Sequence, residues 1–301
     1  MAQSAATQKR AAGDRPVAQV TGASRGIGKA AAIDLARAGY DVAVSARTLH
    51  EGEGRHDTDG LALPGGLDTT VAAIEAEGAL GFAVRMDVLD HQSLVDGVAA
   101  TIAHFGGIDV LVNNGIYQGP GTMVDFLELD FADLHKIFEG NVFGQLVLIR
   151  EVLPQMLERG GGTIVNMISA TAYRDPPGKI GAGGWGMAYA MSKAAFARVA
   201  PLLQIEHGDQ GIRAFSVDPG YVVTEAAEAR GKGGQFAEHF AVATPPVIGA
   251  AIAWLATSSD ADDQLGQIVI AQRETKRRGL LPGWPPADWV NPEKKPKPAE
   301  A

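Results

Sequence analysis

Short apolar, β-rich runs recur along this chain with helical segments between them: VAQV (17–20), DVAVSA (41–46), FAVRMDV (82–88), IDVLVNN (108–114), TIVNMIS (163–169), IRAFSVD (212–218) and QIVIAQ (267–272). The first gap is filled by KAAAIDLARAGY, which has helical composition and spacing. Strands that alternate with helices pair in parallel through right-handed crossovers, and a parallel sheet must be covered on both faces. The expected fold is therefore α/β, a doubly wound parallel seven-stranded sheet with helices on both faces. No solenoid-length repeat is present and no linker divides the core, so residues 15–272 are expected to form a single domain.

Four segments fall outside that rhythm. Residues 1–14 lack an apolar stretch of signal-peptide type and are expected to be a disordered leader. Residues 49–68 and 172–186 are polar, Gly- or Pro-rich insertions, and loops of that length in a compact domain are usually functional or mobile. The stretch 273–301 reads as a Pro/Trp-rich C-terminal tail. With no cysteine, disulfides, thiolate metal sites and a cysteine nucleophile are excluded. A net charge of −9 without a clustered basic face argues against nucleic acid, and no apolar run is long enough to span a bilayer. The seven histidines are dispersed, so no metal site is expected. No GxSxG elbow marks an acyl-transfer serine. A cytoplasmic location is the default expectation.

Directly after the first strand stands TGASRGIG (21–28), and a helix follows it. A glycine-rich turn between strand and helix lets the backbone approach a pyrophosphate, while the N–H groups and dipole of the helix favour the anion. The spacing is TGxxxGxG. With Thr21, Gly22, Gly26 and Gly28 in place, the chain resembles the short-chain dehydrogenase/reductase family, over about residues 15–272. The resemblance implies a Rossmann-like domain that binds a nicotinamide dinucleotide at the carboxyl ends of its strands. It makes Ser24, Arg25 and Ile27 cofactor residues along with the glycines. The family's Asn-Asn-Ala-Gly signature is represented by NNGI (113–116). Asn114 is carried over as a cofactor residue, and the extra glycine at 115 is expected to loosen that turn.

An NAD site usually offers a carboxylate at the end of the second strand, about 20 residues past the glycines. Here Ser45-Ala46-Arg47-Thr48 has none, and Arg25 stands in the glycine turn. Two guanidiniums near one ribose suit a 2′-phosphate, so NADP(H) is expected over NAD(H). Asp87 and Val88 match the family's adenine-reading position. Pro219, Gly220, Val222 and Thr224 in DPGYVVTE match the stretch that passes the nicotinamide.

Reducing a carbonyl requires a proton donor at its oxygen, and the reverse reaction requires a base. Tyr189 and Lys193 in AYAMSK lie four residues apart, on one face of a helix. An ammonium one turn from a phenol stabilises the phenolate and is expected to pull the tyrosine below its usual pKa. The resemblance also gives Lys193 a hold on the nicotinamide ribose, makes Ser169 the group that orients the substrate carbonyl, and assigns Asn141 to a water-mediated proton path from the lysine. Ser169 and Tyr189 lie 20 residues apart where the family has about a dozen, and the excess falls in the 172–186 insertion. Met187, Trp185 and Tyr221 are candidates for lining an apolar pocket. The implied activity is interconversion of a carbonyl and a secondary alcohol on a small molecule by a homodimer or homotetramer. A catalytically silent dinucleotide-binding sensor or scaffold, and an epimerase or dehydratase on the same fold, stay open as alternatives.

Overall fold

The protein is described from a computed structural model, over residues 15–231, 233, 237, 240–287 and 289. The expected leader (1–14) and the end of the tail (290–301) lie outside the described residues.

Seven strands form one parallel sheet in the order β3-β2-β1-β4-β5-β6-β9. They are β1 (Val17–Thr21), β2 (Asp41–Ala46), β3 (Gly81–Arg85), β4 (Val110–Asn113), β5 (Gly162–Met167), β6 (Ile212–Asp218) and β9 (Ile268–Ile270). A two-residue pair, β7 (Tyr221–Val222) with β8 (Val242–Ala243), stands apart from it. Val20 of β1 registers with Val44 on one side and with Val112 on the other. The order reverses between β1 and β4, which opens a crevice at their carboxyl ends.

Side-chain alternation sends each strand's apolar residues to two separate cores. Val110 and Val112 enter one cluster, and Leu111 between them enters the other. The first cluster is closed by α1 (Gly26–Arg37), α2 (Leu67–Ala76) and α9 (Pro245–Thr257), with Leu35, Ile74 and Ile252 fully buried. The second is closed by α3 (His91–Phe105), α5 (Gly144–Glu158), α6 (Met187–Ala197) and α7 (Val199–His207), through Leu94, Leu148 and Phe196. Each such side chain contributes about 1.5–3 kcal/mol when fully buried. α1 and α9 approach closely because Gly249 has no side chain: a Cβ there would lie 2.9 Å from the Ala30 backbone.

Short helices complete the fold: α4 (Phe131–Phe138), α8 (Glu225–Ala229) and α10 (Ala271–Arg278). Between α4 and α5 the chain makes a π-helical turn, Glu139–Phe143. Several local limits differ from those expected. The third strand stops at Arg85, because Asp87 turns the chain, its carboxylate accepting from Leu89 N–H at 3.0 Å. The last strand stops at Ile270 and α10 begins at once, with Glu274 and Thr275 buried, so packed structure continues past 272. Glu274 is held by Arg277 and Arg278 at 2.6 and 3.2 Å, which offsets the cost of burying its charge. Beyond α10, Leu280, Leu281 and Trp284 pack on the first core cluster. The first insertion ends where α2 begins at Leu67.

Candidate active site

The carboxyl ends of the strands open into a cavity of ≈ 1070 Å³. One wall is the glycine turn, with Thr21, Gly22, Ser24, Arg25, Gly26 and Ile27 exposed to it. Arg47, Val88 and Asn114 continue this side. Ser169, Tyr189 and Lys193 line it as well, and the Pro219, Gly220, Val222 and Thr224 stretch adjoins the glycine turn, a Cβ on Gly26 standing 3.3 Å from Thr224 Cγ2. Three expected site residues do not line the cavity: Gly28, Asp87 and Asn141.

The glycine turn is packed backbone to backbone. Gly22 adopts φ +64°, where a side chain is strained, and a Cβ on it would stand 2.6 Å from Gly115 Cα. A Cβ on Gly28 would lie 2.4 Å from Gly22 O and 2.6 Å from Asn114 Nδ2. Asn114 braces the turn from behind: its Nδ2 donates to Thr21 O and Gly22 O at 2.9 and 3.2 Å. Its own N–H and that of Gly115 donate to Thr21 Oγ1 at 3.0 and 2.9 Å. The glycine at 115 therefore does not loosen its turn; it permits a close approach to Gly22. At the start of α1, Gly26 N–H donates to the Glu225 carboxylate at 3.0 Å. A carboxylate on that amide shows that the helix N-terminus accepts an anion, as a pyrophosphate requires. Thr224, expected to reach the cofactor, uses its hydroxyl to cap α8 by accepting from Ala227 N–H.

Both arginines of the ribose end are engaged by the first insertion. Arg25 donates from Nε to Pro64 O at 2.5 Å and from Nη2 to Gly65 O at 3.2 Å. Arg47 makes a two-point ion pair with Asp57, Nη1 to Oδ1 at 2.7 Å and Nη2 to Oδ2 at 3.0 Å. Arg230, just past α8, donates to Asp59 at 3.2 Å and so joins the insertion to the segment after β7.

At the chemical end α6 presents Tyr189 and Lys193 on one face. Lys193 is buried, its ammonium donating to Met167 O at 2.7 Å and lying 5.9 Å from the centroid of the Tyr189 ring. Burial pushes the Tyr189 phenol up to about 12; hydrogen bonding to Ser169 opposes this and the Asp218 charge adds to it. Burial likewise pulls Lys193 down to about 7. The expected lowering of the phenol by the ammonium is therefore not what the structure shows. Desolvation favours the neutral form of both groups.

That shift makes stability depend on pH. Between about pH 7 and 10.5 the unfolded chain holds the Lys193 proton and the folded chain has lost it, so stability rises with pH across this window. We expect Lys193→Met to flatten that rise and to melt above the wild type at pH 7, with the gap closing toward pH 10.5. Melting curves taken across the window check this, and an unchanged slope would contradict it.

Asn141 lies in the π-helical turn, a distortion common at functional sites. Its Oδ1 accepts from Tyr117 N–H at 2.8 Å, and its Nδ2 donates to Ser192 Oγ at 3.4 Å. Ser192 in turn donates to Tyr189 O at 2.8 Å. The carboxamide thus reaches α6 directly through Ser192. Ser169 caps the short turn after β5, accepting from Thr171 N–H at 3.3 Å.

The 172–186 segment borders the cavity through Ile180, Gly181 and Trp185, and Trp185 faces Phe240 with ring centroids 6.4 Å apart. Tyr221 also lines the cavity, whereas Met187 is exposed at the start of α6 and does not. Four groups were not singled out in the sequence: Asp57, Glu225, Tyr173 and Asp218. Tyr173, 40% exposed, donates to Asp218 Oδ2 at 2.5 Å, and partial desolvation beside that carboxylate raises its phenol. Only Asp218 carried a signal, its place just before Pro219-Gly220.

Among the described residues no group of three or more His, Asp or Glu is placed to hold a metal, and no helix is long and apolar enough to cross a membrane. A family model described as short chain dehydrogenase matches residues 62–234. A 3-oxoacyl-[acyl-carrier-protein] reductase of Staphylococcus epidermidis is 29% identical over 212 residues, covering 70% of this chain and 77% of its own. An L-rhamnose 1-dehydrogenase (NAD(P)(+)) of a Sphingomonas strain is 35% identical, covering 68% and 72%. The crystal structure of a short chain dehydrogenase from Mycobacterium paratuberculosis bound to NAD superposes with a TM-score of 0.68 at 25% identity, covering 85% of this chain and 96% of the other.

Proposed function

Since the chain belongs to the short-chain dehydrogenase/reductase family, we propose that it is an NADP-dependent oxidoreductase interconverting a carbonyl and a secondary alcohol on a small molecule. The observation that carries this reading is that Ser169, Tyr189 and Lys193 line the same cavity as the glycine turn. A silent binding protein would have no reason to keep a half-buried phenol beside a buried lysine there.

The residues present fit a nicotinamide dinucleotide. The Gly22–Gly28 turn would receive the pyrophosphate at the amide that now holds a carboxylate, and Arg25 and Arg47 flank the ribose end. When bound, the nicotinamide supplies or accepts the hydride. The phosphorylated form is read from these two arginines and from Ala46, where an NAD site usually offers a carboxylate.

Ser169 orients the substrate carbonyl by hydrogen bonding its oxygen. Tyr189 is protonated at neutral pH because burial raises it, so its Oη donates the proton that turns that oxygen into a hydroxyl. In the alcohol-to-ketone direction the same oxygen takes the proton back. Lys193 sets the polarity around the phenol and holds the nicotinamide ribose. Asn141, through Ser192, fixes the turn of α6 that carries Tyr189.

The relatives are named for unlike substrates, and the substrate is tested directly. Purified protein is offered ketones, 3-oxoacyl thioesters, steroids and sugars with NADPH and with NADH, and the cofactor absorbance is followed. We expect net NADPH consumption with at least one carbonyl class. Turnover without net change in nicotinamide would assign an epimerase or dehydratase instead.

A further inference from the structure

The guanidinium of Arg47 offers two parallel N–H donors, the geometry that a phosphate also takes. Both are spent on Asp57, a residue of the 49–66 insertion that itself lines the cavity. Arg25 is fixed differently, on neutral acceptors: the Pro64 and Gly65 carbonyls and the Thr48 hydroxyl. Of these two arginines Arg47 is the one hydrogen-bonded to a carboxylate, whereas Glu51 and Glu225 act on Arg25 as nearby charges without a hydrogen bond to it.

The insertion does not need this ion pair for its shape. Arg55 bridges Ala62, His56 N–H donates to Leu61 O and Leu63 N–H to Gly54 O, both at 2.9 Å, and Leu63 is buried. Arg55 Nη1 further donates to the Gly52 and Gly54 carbonyls at 2.8 Å. The Asp57 side chain is also less exposed than that of Arg47, 19% against 42%, so the pair is partly screened from solvent.

We propose that Asp57 is a specificity residue for the cofactor: its carboxylate competes with a ribose 2′-phosphate for the fork of Arg47. It thereby sets how strongly the chain prefers the phosphorylated dinucleotide. The proposal rests on the nicotinamide-dinucleotide reading above. A 2′-phosphate must displace the carboxylate from that fork, so Asp57 penalises NADPH. NADH carries only a neutral hydroxyl at that position and meets no such cost.

Calorimetric titration of the full chain with NADPH and with NADH tests this, using wild type, Asp57→Asn, Arg47→Met and the double variant. Asp57→Asn should tighten NADPH by roughly threefold to fivefold, the upper end for a partly exposed ion pair, and leave NADH within about twofold. In the Arg47→Met background the same change should alter neither ligand. An unmoved NADPH-to-NADH ratio in Asp57→Asn would overturn the proposal, as would an equal gain without Arg47. Asp57→Ser serves as a second variant; if both substitutions unfold the chain, the pair is structural and the proposal fails. If the wild type binds neither dinucleotide, the cofactor reading itself fails, a result distinct from binding both with an unmoved ratio.

Discussion

Tyr189→Phe is expected to lower carbonyl reduction by about 10²–10⁴-fold, the range that a positioned general acid contributes. The substitution keeps the ring, and with it the packing of α6 beside Lys193. What it removes is Oη, the group that would meet the substrate oxygen in the cavity that Ser169 also lines. Because the phenol is raised to about 12 it stands as an acid throughout the neutral range, so the loss should be nearly uniform from pH 6 to 9. NADPH affinity should stay within a few-fold of wild type, since the contacts that hold the glycine turn and both arginines do not involve Tyr189. Rapid-reaction absorbance and an independent titration separate these two effects. Normal turnover by the phenylalanine protein would end the assignment of Tyr189.

The second large effect is expected from one methyl group. Gly28 lies inside α1 with ordinary helical geometry, so alanine there costs nothing in backbone conformation, and helix propensity favours it. The cost is contact: the new Cβ would stand 2.4 Å from Gly22 O and 2.6 Å from Asn114 Nδ2. Neither atom is free to yield. The Gly22 carbonyl accepts from that same Asn114 amide, and Asn114 is fixed to Thr21 at two points. The turn must open outward, into the space a pyrophosphate would take. We expect Gly28→Ala to weaken dinucleotide binding by more than about 100-fold, with a stability loss of about 1–3 kcal/mol from overpacking. Fluorescence titration with NADPH and thermal melting measure the two. Wild-type affinity in a folded Gly28→Ala protein would show that the turn does not seat the cofactor.

The sheet, the glycine turn and the Tyr189/Lys193 face were legible because each is written locally. Strand runs such as DVAVSA and IRAFSVD match the observed limits residue for residue, since their apolar stretches end where the sheet does. The misplaced limits follow from side-chain competition that a run of apolar letters does not show. Asp87 turns the chain although FAVRMDV reads as one strand, and QIVIAQ gives up its last two residues to a helix. Direction of titration was not legible either. Spacing alone suggested an ammonium lowering a phenol, whereas the depth of burial, which only the fold determines, makes desolvation the larger effect for both groups. Contacts made across long stretches of chain were least visible. Glu225 meets Gly26 across 199 residues, and no short pattern marks it as the carboxylate that settles on the first amide of α1.

Tyr173 and Asp218 add something of a different kind. The backbone ladder between β5 and β6 runs to Met167 opposite Val217, with one last bond from Ile168 N–H to Val217 O, and then β5 ends while β6 keeps only its β9 partner, Asp218 opposite Ile270. The bond from the Tyr173 hydroxyl to Asp218 comes just beyond that point, between groups 45 residues apart in sequence. It serves as one more rung, built from side chains where the main chain can supply none. The stiffness of the sheet is thereby carried past its edge into the loops that hold Ser169 and Pro219, so two irregular segments keep the spacing of neighbouring strands.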